Sequence, residues 1–492
     1  MIVMKFGGSS LESADALARM TSIVASQIER RPVVVVSAMG KTTDQLVAVS
    51  KDAERGHGYQ VWKQIKELQE FHLNEAHRVV KGASLAWLEA SLRRQFRDLH
   101  LMLLSISDEG CPLSPALQDE VLSYGERFSS EVVTAALQTN GIPAVHIDSR
   151  QVILTDDRHT QAEPLLWETY AKIRRIIPIL GRDRVVVMGG FIGATEEGAT
   201  TTMGRGGSDL TATLVGAGIS ADEVQVWKDV DGMLTCDPKV MRGGYRLKTV
   251  SYAEADGMAK AGARLLHPET VRPVVRQRIP IVIRNSRRPN IEGTSIVPSA
   301  ASGTNPVKCI SCKQDLTVLE VRSNTPGDAE TMAVTFADLC GRHNVPVEFS
   351  GVAGNALFLG VKNSARLESL GASVDAGVCI EARVHSHSAV ITLVGQGINS
   401  TPGLPARVAA ALRNSPVVCI PDAESGLKLS LIVPQSAMKQ SVELLHREFF
   451  RALDPTLFAE NESRHSISRT APAEAVAANQ TSGRQPRRLA LA

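Results

Sequence analysis

Through residues 1–295 of this 492-residue chain, short and nearly unbroken apolar runs alternate with longer stretches whose apolar positions recur at helical spacing. The runs Ile2–Phe6, Val33–Ser37, Val145–Asp148, Val185–Gly189, Glu223–Trp227 and Ile281–Arg284 are rich in β-branched residues and read as strands. They do not alternate apolar with polar, so both faces are expected to be covered, as in a parallel sheet whose strands are joined by helices. Ala14–Arg30 and Ser208–Gly216 read as helices, and residues 55–125 as a long, mostly helical subdomain over the sheet. The pattern then breaks. Arg287, Arg288, Pro289, Asn290, Gly293, Pro298, Gly303 and Pro306 predict a loop-rich connection.

Two smaller units follow, each with the order β-α-β-β-α of a ferredoxin-like module. The first has strands Thr317–Arg322, Val347–Ser350 and Ala356–Val361, with helices at Ala329–Arg342 and near 364–370. The second has strands Ala389–Val394, Val417–Ile420 and Lys428–Val433, with helices Pro405–Leu412 and Ala437–Phe449. The expected division is therefore a sandwich of parallel sheet and helices over 1–295, a linker over 296–312, and modules over 313–385 and 386–460. Residues 461–492 lack periodicity and read as a disordered tail, with Arg484, Arg487 and Arg488 solvated in it.

Composition narrows the function. Aromatics are only 4%, so aliphatic side chains must fill the core. A net charge of +2 argues against a nucleic-acid surface. No apolar run approaches the roughly 18 residues of a membrane helix. The N-terminal MIVMKFGGSS lacks the pattern of a secretion signal, so a cytoplasmic protein without membrane or nucleic-acid partners is expected. The seven cysteines are expected to be reduced. Cys309 and Cys312 form a CxxC with no second ligand pair nearby, so a strand edge is the better reading and no metal site is assigned.

Three glycine-rich segments follow strands or start a helix: Lys5–Ser10, Gly189–Gly193 and Gly204–Asp209. Such loops let backbone N–H groups approach phosphate oxygens, and a helix start adds partial positive charge. Three of them at the carboxyl ends of parallel strands would line one crevice. The common phosphate motifs fail. Gly40-Lys41-Thr42 ends like a Walker A loop, but Val35 stands where its first glycine belongs. Gly216–Ala221 resembles a dinucleotide fingerprint, but it follows a helix instead of a strand. The protein-kinase triplets are absent.

The longer motifs are more specific. KFGGSS at 5–10, VVVVSAMGKTTDQL at 33–46, SYGERFSS at 123–130, GFIGATEEGATTTMGRGGSDLTA at 190–212, VWKDVDGMLTCDPKV at 226–240 and AGARLLHPETVRP at 261–273 together resemble the aspartokinase family, and the C-terminal units resemble its paired ACT modules. The resemblance implies an amino-acid kinase αβα sandwich. It also implies ATP and Mg²⁺ as cofactors, L-aspartate as acceptor, lysine or threonine as effector, and a homodimer or larger homo-oligomer. By position, Lys5 would contact the ATP phosphates, with Gly7, Gly8 and Ser9 supplying backbone donors. Thr43 and Glu126 would hold the amino end of aspartate, with Arg205 on its α-carboxylate and Ser208 beside it. Asp209 would organise Lys5. Lys228, Asp229, Leu234, Lys239 and Arg264 match nucleotide-contact positions, although the family often has Thr or Ser at 228, Tyr at 234 and Lys at 264. In the first module Asn324–Asp328 and Glu348–Ala353 depart from the family pattern, whereas Thr401-Pro402-Gly403 keeps it.

The residue types suit that chemistry. A carboxylate with pKa near ~4 is already ionised at neutral pH, so no base is needed. What must be overcome is repulsion between two anions, by positioning and positive charge. Plainer roles exist for each residue: a strand-end lysine at 5, a helix ion pair at 126, a first-turn helix acid at 209. His267-Pro268 reads as a helix break. The rival functions are another amino-acid kinase, of glutamate type, and an inactive amino-acid sensor.

Overall fold

The computed structural model describes residues 1–109, 112–263, 266–300, 303–322, 328–362, 381–413, 417–421 and 426–459. Its larger sheet uses β1 (Ile2–Phe6), β2 (Pro32–Val36), β3 (Ala144–Ile147), β4 (Val185–Gly189), β7 (Glu223–Lys228), β9 (Thr249–Ser251), β10 (Ile281–Asn285) and β11 (Thr294–Val297), in the order β3-β4-β2-β1-β7-β10-β11-β9. A hairpin of β5 (Ile192–Ala194) and β6 (Thr200–Thr202) and the short β8 (Arg246–Leu247) stand outside it. From β3 to β10 all neighbours are parallel, and only β11 runs antiparallel to β10.

Pleating explains the unbroken apolar runs. Ile2, Met4, Phe6, Val34, Val36, Val185 and Val187 point into one buried layer. Val3, Val33, Val35, Val186, Met188, Val224 and Val226 point into the other. The first layer is covered by α1 (Ala14–Ala25), α2 (Thr42–Glu54), α3 (Gly58–Val79), α4 (Gly82–Glu109) and α5 (Pro115–Thr139). The second is covered by α6 (Leu166–Leu180), α7 (Gly207–Gly218), α8 (Tyr252–Lys260) and α9 (Arg272–Val275). Helix α5 starts at a Ser114 cap, whose side chain accepts from Leu117 N–H, followed by Pro115, and is buried along most of its length.

The C-terminal region is one antiparallel sheet of six strands. It comprises β12 (Cys309–Arg322), β13 (Val347–Ala353), β14 (Ala356–Val361), β15 (Glu381–Val394), β16 (Val418–Pro421) and β17 (Lys428–Pro434), ordered β13-β14-β12-β15-β17-β16. Helices α10 (Asp328–Arg342), α11 (Leu404–Ala411) and α12 (Met438–Phe449) accompany it, and β18 (Phe458–Ala459) returns to pair with β8.

Strands run across the expected boundaries. The proposed linker 296–312 contains the end of β11 and the start of β12, and the cut at 385/386 falls inside β15. Strands β12 and β15 are each 14 residues long and pair with each other through both modules. The modules are separated by a bulge at Lys313–Val318, with Asp315 at φ 57° and His387 at φ 49°. The polar Lys313-Gln314-Asp315 of the bulge looks in sequence like a strand boundary. The bend folds the sheet over, so Leu316, Val318, Phe358, Val390, Ile420 and Ile432 are enclosed between its halves. The sequence-predicted helix near 364–370 and the tail 461–492 lie outside the described residues. Cys309 is buried and Cys312 half-buried on β12, both free thiols.

Candidate active site

The carboxyl ends of β1, β2, β4 and β7 meet at a cleft of about 560 Å³ lined by Lys5, Gly8, Thr43, Glu126, Arg205, Ser208 and Asp209, among others. Three backbone bonds fix the loop after β1: Gly7 N–H donates to Trp227 O at 3.2 Å, Ser37 N–H to Phe6 O at 3.1 Å, and Gly40 N–H to Gly8 O at 3.1 Å. Gly8 is required there, since a Cβ would lie 2.9 Å from both Ala38 O and Gly40 O. Ser10 Oγ closes the far side, 2.8 Å from Ser286 Oγ.

Lys5 leaves the end of β1 with a side chain only 7% exposed, and its Nζ lies 2.7 Å from Asp209 Oδ1. Lys228 Nζ, at the end of β7, lies 3.1 Å from Asp209 Oδ2. Burial pushes the Asp209 carboxyl up, but Lys5 and then Lys228 more than offset it and hold it below the usual value. Burial draws the Lys228 ammonium below its usual value, against the pull of Asp209. The cluster thus carries two ammonium groups for one carboxylate, a surplus of positive charge in a dry place.

Asp209 sits in the first turn of α7, which begins at Gly206 with φ 81°. That left-handed residue turns the chain so that exposed Arg205 and buried Ser208 border the same cleft. Arg205 forms no ion pair among the described residues.

Glu126 reaches the cleft from α5. Its Oε1 accepts from Ala38 N–H at 3.1 Å, while Oε2 is buried with no partner among the described residues. Burial pushes its pKa up to about 8. An unsatisfied carboxylate oxygen of this kind calls for a cation from outside.

Of the remaining positions, Gly7 and Ser9 flank the same loop, and Asp229 is exposed just after Lys228. Leu234 and Lys239 lie farther along the loop after β7 and do not line the cleft; Lys239 borders a different cavity. Arg264 lies outside the described residues.

The profile of the amino acid kinase family matches residues 1–285, and that of the ACT domain matches 391–449. Lysine-sensitive aspartokinase 3 of Escherichia coli is 30% identical over 92% of this chain and 99% of its own length. The chain belongs to the aspartokinase family. Aspartokinase 2, chloroplastic, of Arabidopsis thaliana is 32% identical over 92% of this chain and 85% of that protein. The structure of E. coli aspartokinase III with aspartate and ADP superposes with a TM-score of 0.77 at 26% identity, covering 92% of this chain and all of that one. Its complex with lysine and aspartate gives 0.73 at 27% identity, over 92% of this chain and 99% of that one. Among the described residues of this aspartokinase-family chain, no helix is long and apolar enough to cross a membrane.

Sequence reasoning missed one support of the cleft. Asp119, fully buried on α5, accepts from Thr160 N–H at 3.0 and 3.1 Å, bonds His159 Nδ1 at 2.8 Å, and receives the Thr202 hydroxyl. It ties the 156–163 loop and β6 to the helix that carries Glu126. The signal was available: Asp119 precedes Glu126 by seven residues, two turns along one helix face.

Proposed function

We propose that this chain transfers the terminal phosphoryl group of ATP to the side-chain carboxylate of L-aspartate, giving 4-phospho-L-aspartate, under control of an amino acid bound at its ACT modules. The observation that carries the reading is a single cleft lined by Lys5, Asp209, Glu126 with its orphan oxygen and Arg205, with Lys228 paired to Asp209 beside it.

Each group has a role suited to its chemistry. Glu126 and Thr43 take the substrate ammonium, and Arg205 takes the α-carboxylate with a two-pronged fork, Ser208 beside it. The free carboxylate then faces Lys5, which neutralises charge on the transferred group while Asp209 holds its ammonium in place. The attacking oxygen bonds to phosphorus as the bond to ADP breaks, and no proton moves. The Gly8 and Ser9 amides face the phosphates, whereas the Gly7 amide is held by Trp227 O and shapes the loop. Lys228 and Asp229 take the nucleotide beyond them; Leu234 and Lys239, outside the cleft, take no part in this reading. Both Asp209 oxygens are engaged by lysines, so the cluster offers no free carboxylate oxygen to a metal, and Mg²⁺ would be held by the nucleotide phosphates and water. When bound, it supplies charge neutralisation on those phosphates.

The ACT match over 391–449 supports amino-acid control, with lysine or threonine as effector. Exposed Val334, Val347 and Val384 on the first module support self-association, which sedimentation of the purified chain would test. The deciding experiment is ADP release with aspartate, glutamate and N-acetylglutamate in parallel, repeated with millimolar lysine and threonine. Aspartate-dependent release is expected; turnover of glutamate at an equal rate, or of none, would sink the reading.

A further inference from the structure

A second cavity, of about 820 Å³, lies outside the cleft, between the loop after β7 and α12. Five cationic side chains border it: Lys239 and Arg242 from the loop, Lys439 and Arg447 from α12, and Arg451 just past its end. Glu443 is its one carboxylate. None of the five cations forms an ion pair among the described residues, not even with Glu443, which stands four residues from both Lys439 and Arg447. The whole chain is balanced to +2, so this concentration of charge is local.

The floor is fixed and aromatic. His446 stacks on Tyr245 with ring centroids 5.8 Å apart and planes 11° apart, and Phe450 packs 4.6 Å from its ring. His446 Nε2 is held 2.9 Å from Thr235 Oγ1. The cations therefore rim a rigid concave surface, where like charges repel and a counter-ion of several charges is favoured. Guanidinium forks suit phosphate oxygens, and spaced ammonium groups suit neighbouring phosphates.

We propose that this cavity binds a linear polyphosphate group, free or carried on a small molecule, at a site separate from the catalytic cleft. A monovalent anion would leave most of the rim unmatched. The occupant would tie the loop that continues from Lys228 to the last helix of the second ACT module. That would make it an effector site distinct from amino-acid control. Only this kinetic consequence rests on the kinase reading; the binding does not.

The test is calorimetry with inorganic tripolyphosphate, without divalent metal, on the full-length Lys5→Ala chain, in which the catalytic cleft is weakened. One equivalent is expected to bind, less tightly as sodium chloride rises. Adding Lys439→Gln and Arg447→Gln to that chain is expected to weaken binding at least tenfold. If that protein melts abnormally by circular dichroism, Lys5→Ala with Arg451→Gln replaces it, and a smaller weakening is expected. Absence of binding to the Lys5→Ala chain, or equal affinity after the rim substitutions, would overturn the site. A parallel titration with GTP, counted only as the binding that the rim substitutions remove, separates the sources. Tighter binding than tripolyphosphate assigns the site to nucleotides, weaker binding to inorganic polyphosphate, and either supports a polyphosphate site.

Discussion

Two buried groups dominate the cleft, and they fail differently when changed. Removing Lys5 deletes the charge nearest the transferred group but leaves Asp209 paired with Lys228. Lys5→Ala is therefore expected to keep its fold and lose roughly 100- to 1,000-fold in kcat, measured with aspartate at saturating ATP. Near-normal turnover would remove Lys5 from the mechanism. Glu126 is the opposite case, a carboxyl whose burial is costly until a ligand arrives. The folded chain keeps its proton to about pH 8, whereas the unfolded chain loses it near the ordinary value of 4.5. Between those limits the folded state binds more protons, so this group subtracts stability as pH rises. Glu126→Gln is expected to melt higher than the parent at pH 7, by on the order of a few kcal/mol. The same variant should raise KM for aspartate tenfold or more. In the parent that KM should fall as pH rises toward about 8, and in the variant the dependence should be lost. An unchanged pH profile would count against Glu126 as the ammonium partner.

Lys5, Thr43, Glu126, Arg205, Ser208 and Asp209 are named from sequence motifs and come together at one cleft. The buried contacts that place them are harder to see, because partners such as Asp119 and Thr202 are 83 residues apart.

At the level of elements, the informative contact joins the two halves of the chain. Lys308 Nζ, just before β12, lies 2.8 and 3.0 Å from the two oxygens of Glu254 on α8, both side chains being almost wholly buried. Glu254 is also the third residue of a capping box with Ser251, so the pair anchors the start of α8. Lys308→Met leaves a buried carboxylate without its cation and is expected to cost about 3–5 kcal/mol in denaturant unfolding. Lys308→Met with Glu254→Gln should recover much of that loss; additive losses would mean the two do not act as a pair. Nothing in the sequence around Lys308 distinguishes it from a surface lysine of a loop-rich segment. The bulge in β12 was hidden for a related reason: three polar residues inside a strand look like its end.

For the whole molecule, the apolar layer on the α7 side of the large sheet does not stop at the kinase half. It continues through Val307, Ile310, Ile391, Leu393, Leu431 and Leu445 of the second module. The first module keeps its own core around Leu319, Phe336 and Leu359. A chain truncated after Val297 would expose the face that the second module covers, and it is expected to aggregate. Size-exclusion chromatography checks this; a monodisperse, active fragment would mean the shared layer is dispensable.

The sequence by itself determined the local order. Apolar runs set the six strands read in the kinase half, because strands covered on both faces must be apolar throughout, and glycine and lysine at their ends marked where anions are met. Tertiary structure decided how distant pieces are joined. The strand order, the shared layer between kinase half and second module, the Lys308–Glu254 pair and the cationic rim beside α12 all depend on which surfaces meet. That is set by the summed burial of apolar area and the pairing of buried charge across the folded chain, quantities that no local window of residues contains.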